Sequence, residues 1–260
     1  MTDISPFQMT LSLNVLNHLG INLYSNVPAV LSEVVANAWD ADAEIVDIRI
    51  GKKDGKIIIT DDGHGMTQSD VNDKFLFVGY MRRENPLEAI TPKWNRPVMG
   101  RKGIGKLSLF SVAHNIEVFS VKDRQQNGFR MLLKDIQKKI TGGEHVYRPD
   151  LIKKLPKDLK KGTRIILNDL KKNVRQTERA LRKRLARRFS VIGSKYHFSI
   201  RVNGKAISVQ DRDYFHKIQY LWKYGEESKE YSAYCRNLEH DELRPNKLSS
   251  KSYAVSGWIG

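Results

Sequence analysis

Cysteine is almost missing from this chain: Cys235 stands alone among 260 residues. A single thiol excludes an internal disulfide framework and any zinc site built on several cysteines. Long apolar runs are missing too, and no stretch approaches the ~18 consecutive apolar residues of a membrane-spanning helix. The first six residues lack the basic-then-apolar pattern of a signal peptide. A reduced, cytoplasmic protein is expected. Acidic residues are in short supply, with 29 Asp and Glu against 45 Lys and Arg, a formal net charge of +16. That excess favours polyanionic partners through counterion release, nucleic acid foremost; the plainer reading is a basic surface that serves solubility.

What is present divides into recognisable elements. Residues 4–19 carry Leu11, Leu13, Val15, Leu16 and Leu19 and read as a short helix or an N-terminal strap. Ser25-Asn26-Val27-Pro28 supplies a polar cap and a first-turn proline, predicting a helix to about Trp39 or Asp40. Residues 44–50 and 56–60, rich in Ile and Val and separated by Gly51 and Gly55, predict a hairpin. Residues 68–77 suggest another helix. Residues 78–99, with Pro86, Pro92 and Pro97, form an irregular stretch of the length of a functional lid. Residues 104–112 read as helix, and 116–121, 129–133 and 163–167 as strands. Residues 134–161 are lysine-rich and poorly patterned, as in a surface insertion. A basic helix over 175–189 precedes a second hairpin, 197–202 and 205–209, around Asn203-Gly204. Residues 253–260 read as a strand that stops without a turn or cap, so a fragment of a longer protein is expected.

Three short segments carry chemistry. Glu33, Asn37 and Asp40 are spaced i, i+4 and i+7, which sets them on one face of a helix whose surrounding positions are apolar. A carboxylate there can deprotonate an attacking water, and an amide oxygen one turn away can complete the oxygen shell of Mg²⁺. Taken alone, the same pattern also fits an amphipathic surface helix. Asp61-Asp62-Gly63-His64-Gly65-Met66 is an acidic turn directly after a strand, a common ligand-facing place. Its Asp61 can accept a hydrogen bond from an exocyclic amine, while Gly63 and Gly65 let backbone pass close to a flat base. A calcium loop is excluded for want of spaced acidic ligands, whereas a plain turn stays open. Gly100-Arg-Lys102-Gly103-Ile104-Gly105-Lys106 is neither a P-loop nor a dinucleotide fingerprint. Glycines at a helix start nevertheless offer backbone N–H groups to an anion, and Lys102 and Lys106 add charge.

In this order the segments resemble the GHKL ATPases: gyrase B subunits, ninety-kilodalton-class heat-shock chaperones, histidine kinases and MutL mismatch-repair proteins. Glu33, Asn37 and Asp40-Ala41 match the family's N-box, and Asp61, Gly63 and Gly65 its Asp-x-Gly-x-Gly box. Gly100, Gly103 and Gly105 match the glycine motif at the lid's end, and Gly162-Thr163 its Gly-Thr before a strand. The agreement extends over roughly residues 25 to 170. It implies an α+β Bergerat fold, a two-layer sandwich with helices on one face of a mixed sheet, plus the start of a second domain. It implies ATP and Mg²⁺ as ligands, with Glu33 as general base and Asn37 on the metal. Asp61 would bind the adenine amine, supported by Thr163, with Met66 packing near the base and Asp40 lining the pocket near the adenosine. Gly100, Lys102, Gly103, Ile104, Gly105 and Lys106 would surround the phosphates.

Within the superfamily, His18 sits in no long heptad segment, which makes kinase activity improbable. The Val202-Asn-Gly-Lys205 hairpin resembles MORC-like members; gyrase-like and mismatch-repair-like members are nucleic-acid machines that follow this domain with an α/β transducer domain, and the basic balance weighs against the chaperone class. The expected organisation is an ATP-binding domain over 1–170, a basic helix and hairpin over 171–208, and a truncated transducer-like segment over 209–260. Lys171, Lys172, Arg175, Arg179, Arg182, Lys183, Arg184, Arg187 and Arg188 crowd one stretch, opposed mainly by Glu178. They make either a phosphate-contacting face for duplex DNA or a solvated charge run that pairs with missing domains or partner proteins. The expected function is Mg-dependent ATP hydrolysis that drives lid closure and homodimerisation in a nucleic-acid machine. The alternatives are a chaperone-like clamp on protein clients and a non-hydrolysing nucleotide sensor.

Overall fold

The structure, a computed structural model, describes residues 6–7, 9–10, 27–51, 55–77, 89–100, 105–144, 146–171, 178–224, 231–235, 238–244 and 257–259. Among the residues read as an N-terminal helix or strap, 9 and 10 form strand β1 (Met9–Thr10), and 11–26 lie outside the described residues. Helix α1 (Val27–Asp40) starts where the cap and proline place it. It buries Val30, Leu31, Val34, Val35, Ala38 and Trp39, so its stability comes from one apolar face against the sheet. Strands β2 (Ile45–Ile50) and β3 (Ile57–Asp61) form the predicted hairpin.

The segment predicted as one helix over 68–77 is instead a single α turn, α2 (Gln68–Asp70), running into a π turn at Val71–Phe75. Thr67 caps it reciprocally with Asp70, each side chain accepting the other's backbone N–H. Residues 105–111 form a 3₁₀ helix (Gly105–Ser111) rather than an α helix. It leads into the long hairpin β4 (Ala113–Lys122) and β5 (Gln125–Leu132).

The reading of 134–161 as an unpatterned insertion is corrected by the structure. Helix α3 (Leu133–Thr141), β6 (Val146–Tyr147) and β7 (Asp150–Leu151) occupy it. Leu133, Ile136 and Tyr147 are buried in the main core, with Ile140 packed against it. Helical spacing of the apolar residues was hidden by the lysines between them. Strand β8 (Gly162–Leu170), helix α4 (Glu178–Arg188), β9 (Ser199–Val202) and β10 (Lys205–Ala206) complete the first unit.

The sheet order is β10-β9-β2-β3-β8-β4-β5-β7, with every pair antiparallel except β2–β9. It is therefore mixed, and the fold is α+β. Buried residues of α1, α3 and α4 join those of the strands in one core, which places these helices on one face. On the other face Phe119, Val121 and Leu159 make a small satellite cluster with Ile152 and Leu155.

The chain divides into two units, Met1–Ile207 and Ser208–Gly260. The second has its own small core of Phe215, Ile218 and Leu221, with Phe215 stacked on Tyr231 at 5.7 Å. Its strands β11 (Tyr220–Tyr224), β12 (His240–Arg244) and β13 (Gly257–Ile259) pair in the order β12-β11-β13. Only 257–259 of the predicted C-terminal strand are described.

Candidate functional site

Sheet register assembles the first half of the site. Asp61 at the end of β3 lies opposite Thr163 on β8, and Thr163 lies opposite Ser120 on β4. Side chains alternate along a strand, and these three share the face of Ile59, Ile165 and Val118, the helix-covered face. The Asp61 Oδ1 accepts hydrogen bonds from the N–H of Gly63 at 2.9 Å and of Thr163 at 3.3 Å. No described residue donates to its Oδ2. Asp61 as a residue is only partly buried, yet protein surrounds its carboxyl deeply enough that dehydration of the charged form pushes its pKa up to about 7. The two N–H donors oppose that rise, and the neighbouring Asp62 adds to it. The result is a strand-end carboxyl with one open acceptor oxygen, able to take an amine N–H from a planar ligand.

Ser120 was not foreseen from the sequence. Its Oγ accepts from the Met66 N–H at 2.9 Å and lies 3.1 Å from Thr163 Oγ1 and 3.2 Å from the Gly162 carbonyl. Asn127 Nδ2 donates to the Met66 carbonyl at 3.0 Å. Met66 is thus pinned on both backbone groups, next to Asp61. Nothing local in Phe119-Ser120-Val121 signals this; only the pairing of β4 with β8 does.

The glycines of the acidic turn answer to the protein's own backbone. A Cβ at Gly63 would lie 2.7 Å from the Ala41 carbonyl oxygen, and Gly65, at φ +69°, would drive one into the Val121 carbonyl. The turn is wedged between the end of α1 and β4. His64 N–H donates to Ala41 O at 2.9 Å, and Asp62 Oδ1 accepts from the N–H of Glu44 and Ile45.

The second half centres on α1. Asp40 is buried, and its two oxygens accept from the N–H of Met99 at 2.7 Å and of Gly100 at 2.9 Å. It therefore ties the end of the 89–100 segment to the helix, and the Gly100 N–H expected at phosphate points at Asp40. Asp42 holds the same segment one step earlier, accepting from the N–H of Lys93 and Trp94. Arg96 is buried; it donates to the carbonyls of Ala43, Tyr196 and His197 and lies over the Trp39 ring at 4.4 Å. Trp39 Nε1 donates to Pro97 O. This fastening of 93–100 was also missed; a lone arginine among prolines gives no local sign of three carbonyl partners.

Glu33 is partly buried and Asn37 exposed, so the polar stripe on α1 runs from open at Asn37 to closed at Asp40. Glu33 Oε1 pairs with Arg188 Nη2 at 3.2 Å, across from the last residue of α4. Helix α1 packs against the 3₁₀ helix Gly105–Ser111, which brings the Glu33–Asn37 helix and the end of the glycine motif together. Lys102, Gly103 and Ile104 lie outside the described residues, as does the side chain of Lys106. Among the described residues no three His, Cys, Asp or Glu converge on a metal position. One carboxamide and one carboxylate on α1 suit only a cation that brings most of its oxygen shell along, as Mg²⁺ does with phosphate oxygens and water.

Residues 24–162 match the family model described as histidine kinase-, DNA gyrase B-, and HSP90-like ATPase. The chain is 40% identical over 257 residues to a "Putative type II restriction enzyme HgiDII" of Herpetosiphon aurantiacus, over 98% of this chain and 41% of that protein. It is 27% identical over 259 residues to the chaperone protein HtpG of Buchnera aphidicola subsp. Schizaphis graminum, over 88% of this chain and 39% of the chaperone. With HtpG of Rickettsia rickettsii (strain Sheila Smith) it shares 28% identity over 128 residues, 42% of this chain and 21% of that one. The chain spans about two-fifths of the length of the restriction-enzyme relative.

Proposed function

Because this chain belongs to the histidine kinase-, DNA gyrase B- and HSP90-like ATPase family, we propose that it binds ATP with Mg²⁺ and hydrolyses it within a nucleic-acid-associated machine. The observation that carries the reading is Asp61, a strand-end carboxyl with an open Oδ2, inside the segment the family shares.

The adenine amine donates to Asp61 Oδ2, while Thr163 and Ser120 hold that carboxylate and the Met66 backbone in place. Glu33 takes a proton from the water attacking the γ-phosphate. Asn37 offers its amide oxygen to the metal, which when bound neutralises phosphate charge. By the family resemblance, Gly103, Gly105, Lys102 and Lys106 would serve the phosphates, and the glycine motif's described N-terminal anchor is the Asp40–Gly100 contact. ATP draws the lid closed over this anchor, and two copies associate in that state. The relative whose printed name is a restriction enzyme, together with the net charge of +16, favours duplex DNA as the partner. The HtpG relatives support a second reading, a clamp on protein clients. Among the described residues no helix is long and apolar enough to cross a membrane.

The test is Mg-dependent ATP hydrolysis by the chain and by Glu33→Ala, each with and without duplex DNA. Loss of hydrolysis with nucleotide binding retained supports the base assignment. Hydrolysis that survives in Glu33→Ala overturns it. DNA stimulation separates the nucleic-acid machine from the protein clamp.

A further inference from the structure

Behind the acidic turn lies a cavity of about 520 Å³, whose lining includes His64, Val121, Arg124, Lys160 and Lys161. It opens between the β4–β5 turn and the segment leading into β8. Its walls are fixed. Asp123 and Arg124 sit at φ +49° and +66° in a tight turn between two long paired strands. The lysine-bearing segment is held by Leu159 and Leu155 packed with Phe119 and Val121, and by the Ile152 N–H donating to Gly128 O at 2.8 Å.

The net charge around this cavity is positive. Arg124, Lys160 and Lys161 are exposed, and none of them makes an ion pair among the described residues. Lys154 and Lys157, on the same segment, are exposed and equally unpaired. The acids nearby are differently placed. Asp158 is held by Arg164 through two hydrogen bonds of 2.9 and 2.7 Å, which leaves Asp123 as the acid lining the cavity. Lys122, by contrast, is engaged with Asp70 at 2.8 Å. Like charges crowd together at a cost unless an anion compensates them.

That anion is not the triphosphate of the proposed nucleotide. This cavity shares its wall with the Asp61 end: His64 lies between Gly63 and Gly65, Val121 follows Ser120, and Lys161 precedes Gly162. In the proposed function the nucleotide lies on the helix-covered face with Asp61 and Glu33, whereas Val121 and the segment of Leu155 and Leu159 pack on the opposite face. The basic helix α4 is a weaker candidate for the same partner. Its Arg188 pairs with Glu33, and Arg182, Lys183 and Arg187 are each engaged within the chain.

We propose that this cavity binds the phosphodiester backbone of duplex DNA, on the back of the adenine end, and that it, rather than α4, is the chain's nucleic-acid surface. The inference rests on the nucleic-acid clause of the proposed function. Lysines and one arginine, without a groove-reading element, would grip phosphates regardless of sequence. Binding there would press on the wall formed by Gly65 and Val121, the same wall that positions Met66 beside Asp61.

The test is fluorescence anisotropy of the whole chain with a labelled short duplex across a salt series, beside a labelled ATP analogue. Arg124→Glu/Lys160→Glu/Lys161→Glu is expected to weaken the duplex by at least about tenfold and to flatten the log K against log salt slope by about two to three. The milder triple alanine variant should show the same direction with an unchanged urea midpoint, which removes misfolding as a cause. Arg179→Ala/Arg184→Ala on α4 should leave duplex affinity within about twofold. An unchanged slope in the charge-reversed triple overturns the proposal, as does an equal loss in the α4 variant. A parallel loss of ATP-analogue binding in the triple would assign these cations to the nucleotide and overturn it too. Absence of duplex binding by the unaltered chain overturns it as well, while the nucleotide arm reports separately whether the ATP reading stands.

Discussion

The two halves of the site differ in what holds them. The Asp61 half is built from three adjacent strands, and register alone sets Asp61, Thr163 and Ser120 side by side. The Glu33 half is built from one helix and the segments tied to it: 93–100 through Asp40, Asp42 and Arg96, and α4 through Arg188. Backbone ladders are cooperative and geometrically exact to within a fraction of a residue spacing, whereas a helix–loop assembly depends on individual side-chain bonds. The sheet half is thus the more firmly fixed of the two, and in the proposed function it is the receptor. The helix half is the part whose geometry single substitutions can release.

The largest separation between the halves comes from Glu33→Ala. It should lower hydrolysis by about 10²–10⁴-fold, the usual worth of a general base, with ATP-analogue affinity nearly unchanged. Asp61→Asn should do the reverse. An amide nitrogen facing the adenine amine leaves a buried donor pair unsatisfied, so nucleotide affinity should fall by about 30- to 100-fold, read by the same analogue. Equal losses of binding in both variants would erase the distinction between a receptor half and a chemical half.

Next comes Asp40→Ala, which removes the acceptor for two backbone N–H groups. It should cost about 2–3 kcal/mol in urea unfolding and raise hydrogen exchange at Met99 and Gly100, leaving Asp61 untouched. Exchange that rises equally along β3 and β8 would show the halves to be one unit.

A smaller effect appears against pH. The Asp61 carboxyl is held up at about 7 by dehydration. Between its unfolded value near 4 and about 7 the native state therefore binds the extra proton, and this group's contribution to stability declines as pH rises through that window. Asp70 is the opposite case on the neighbouring turn. Burial would raise it, but the hydrogen bonds from Lys122 and Thr67 win and hold it at about 2. Its contribution is present above pH ~4 and is lost as pH falls toward 2. Urea midpoints should therefore fall on the acid side in a manner abolished by Asp70→Asn, while Asp61→Asn removes the decline between pH 4 and 7. Nucleotide affinity should weaken below pH 7 as Asp61 protonates.

The smallest effect belongs to Arg188→Ala. Its side chain is 52% exposed, so the pair with Glu33 is worth at most about 1 kcal/mol in stability. Without it Glu33 loses a rotamer constraint, and kcat should drop a few-fold at constant KM, with Arg188→Lys restoring part. A change in KM alone would place Arg188 outside the chemistry.

Legibility in the sequence followed the range of the interaction. The β2–β3 hairpin, α1 with its first-turn proline and the Asp61 turn were all readable, because alternation, proline placement and glycine spacing act over a few residues. Helix α3 was not, since lysines at 134, 138 and 139 outweighed the apolar spacing of Leu133, Ile136 and Ile140 until a core existed to bury them. The glycines at 63 and 65 were found for one reason and are required for another: the backbone they must clear belongs to Ala41 and Val121.

The sequence by itself determined the family and the order along the chain of the candidate residues the proposed chemistry draws on, because those patterns are local and chemical. Tertiary structure alone decided that Ser120 stands beside Thr163, that Arg96 fastens the 89–100 segment to Ala43, and that Arg188 meets Glu33 across 155 residues. It also gathered the unpaired cations of the β4–β5 turn and of the segment before β8 around one cavity. Each of these depends on strand register and helix packing, and burial of a shared core, not any neighbour in the chain, fixes both.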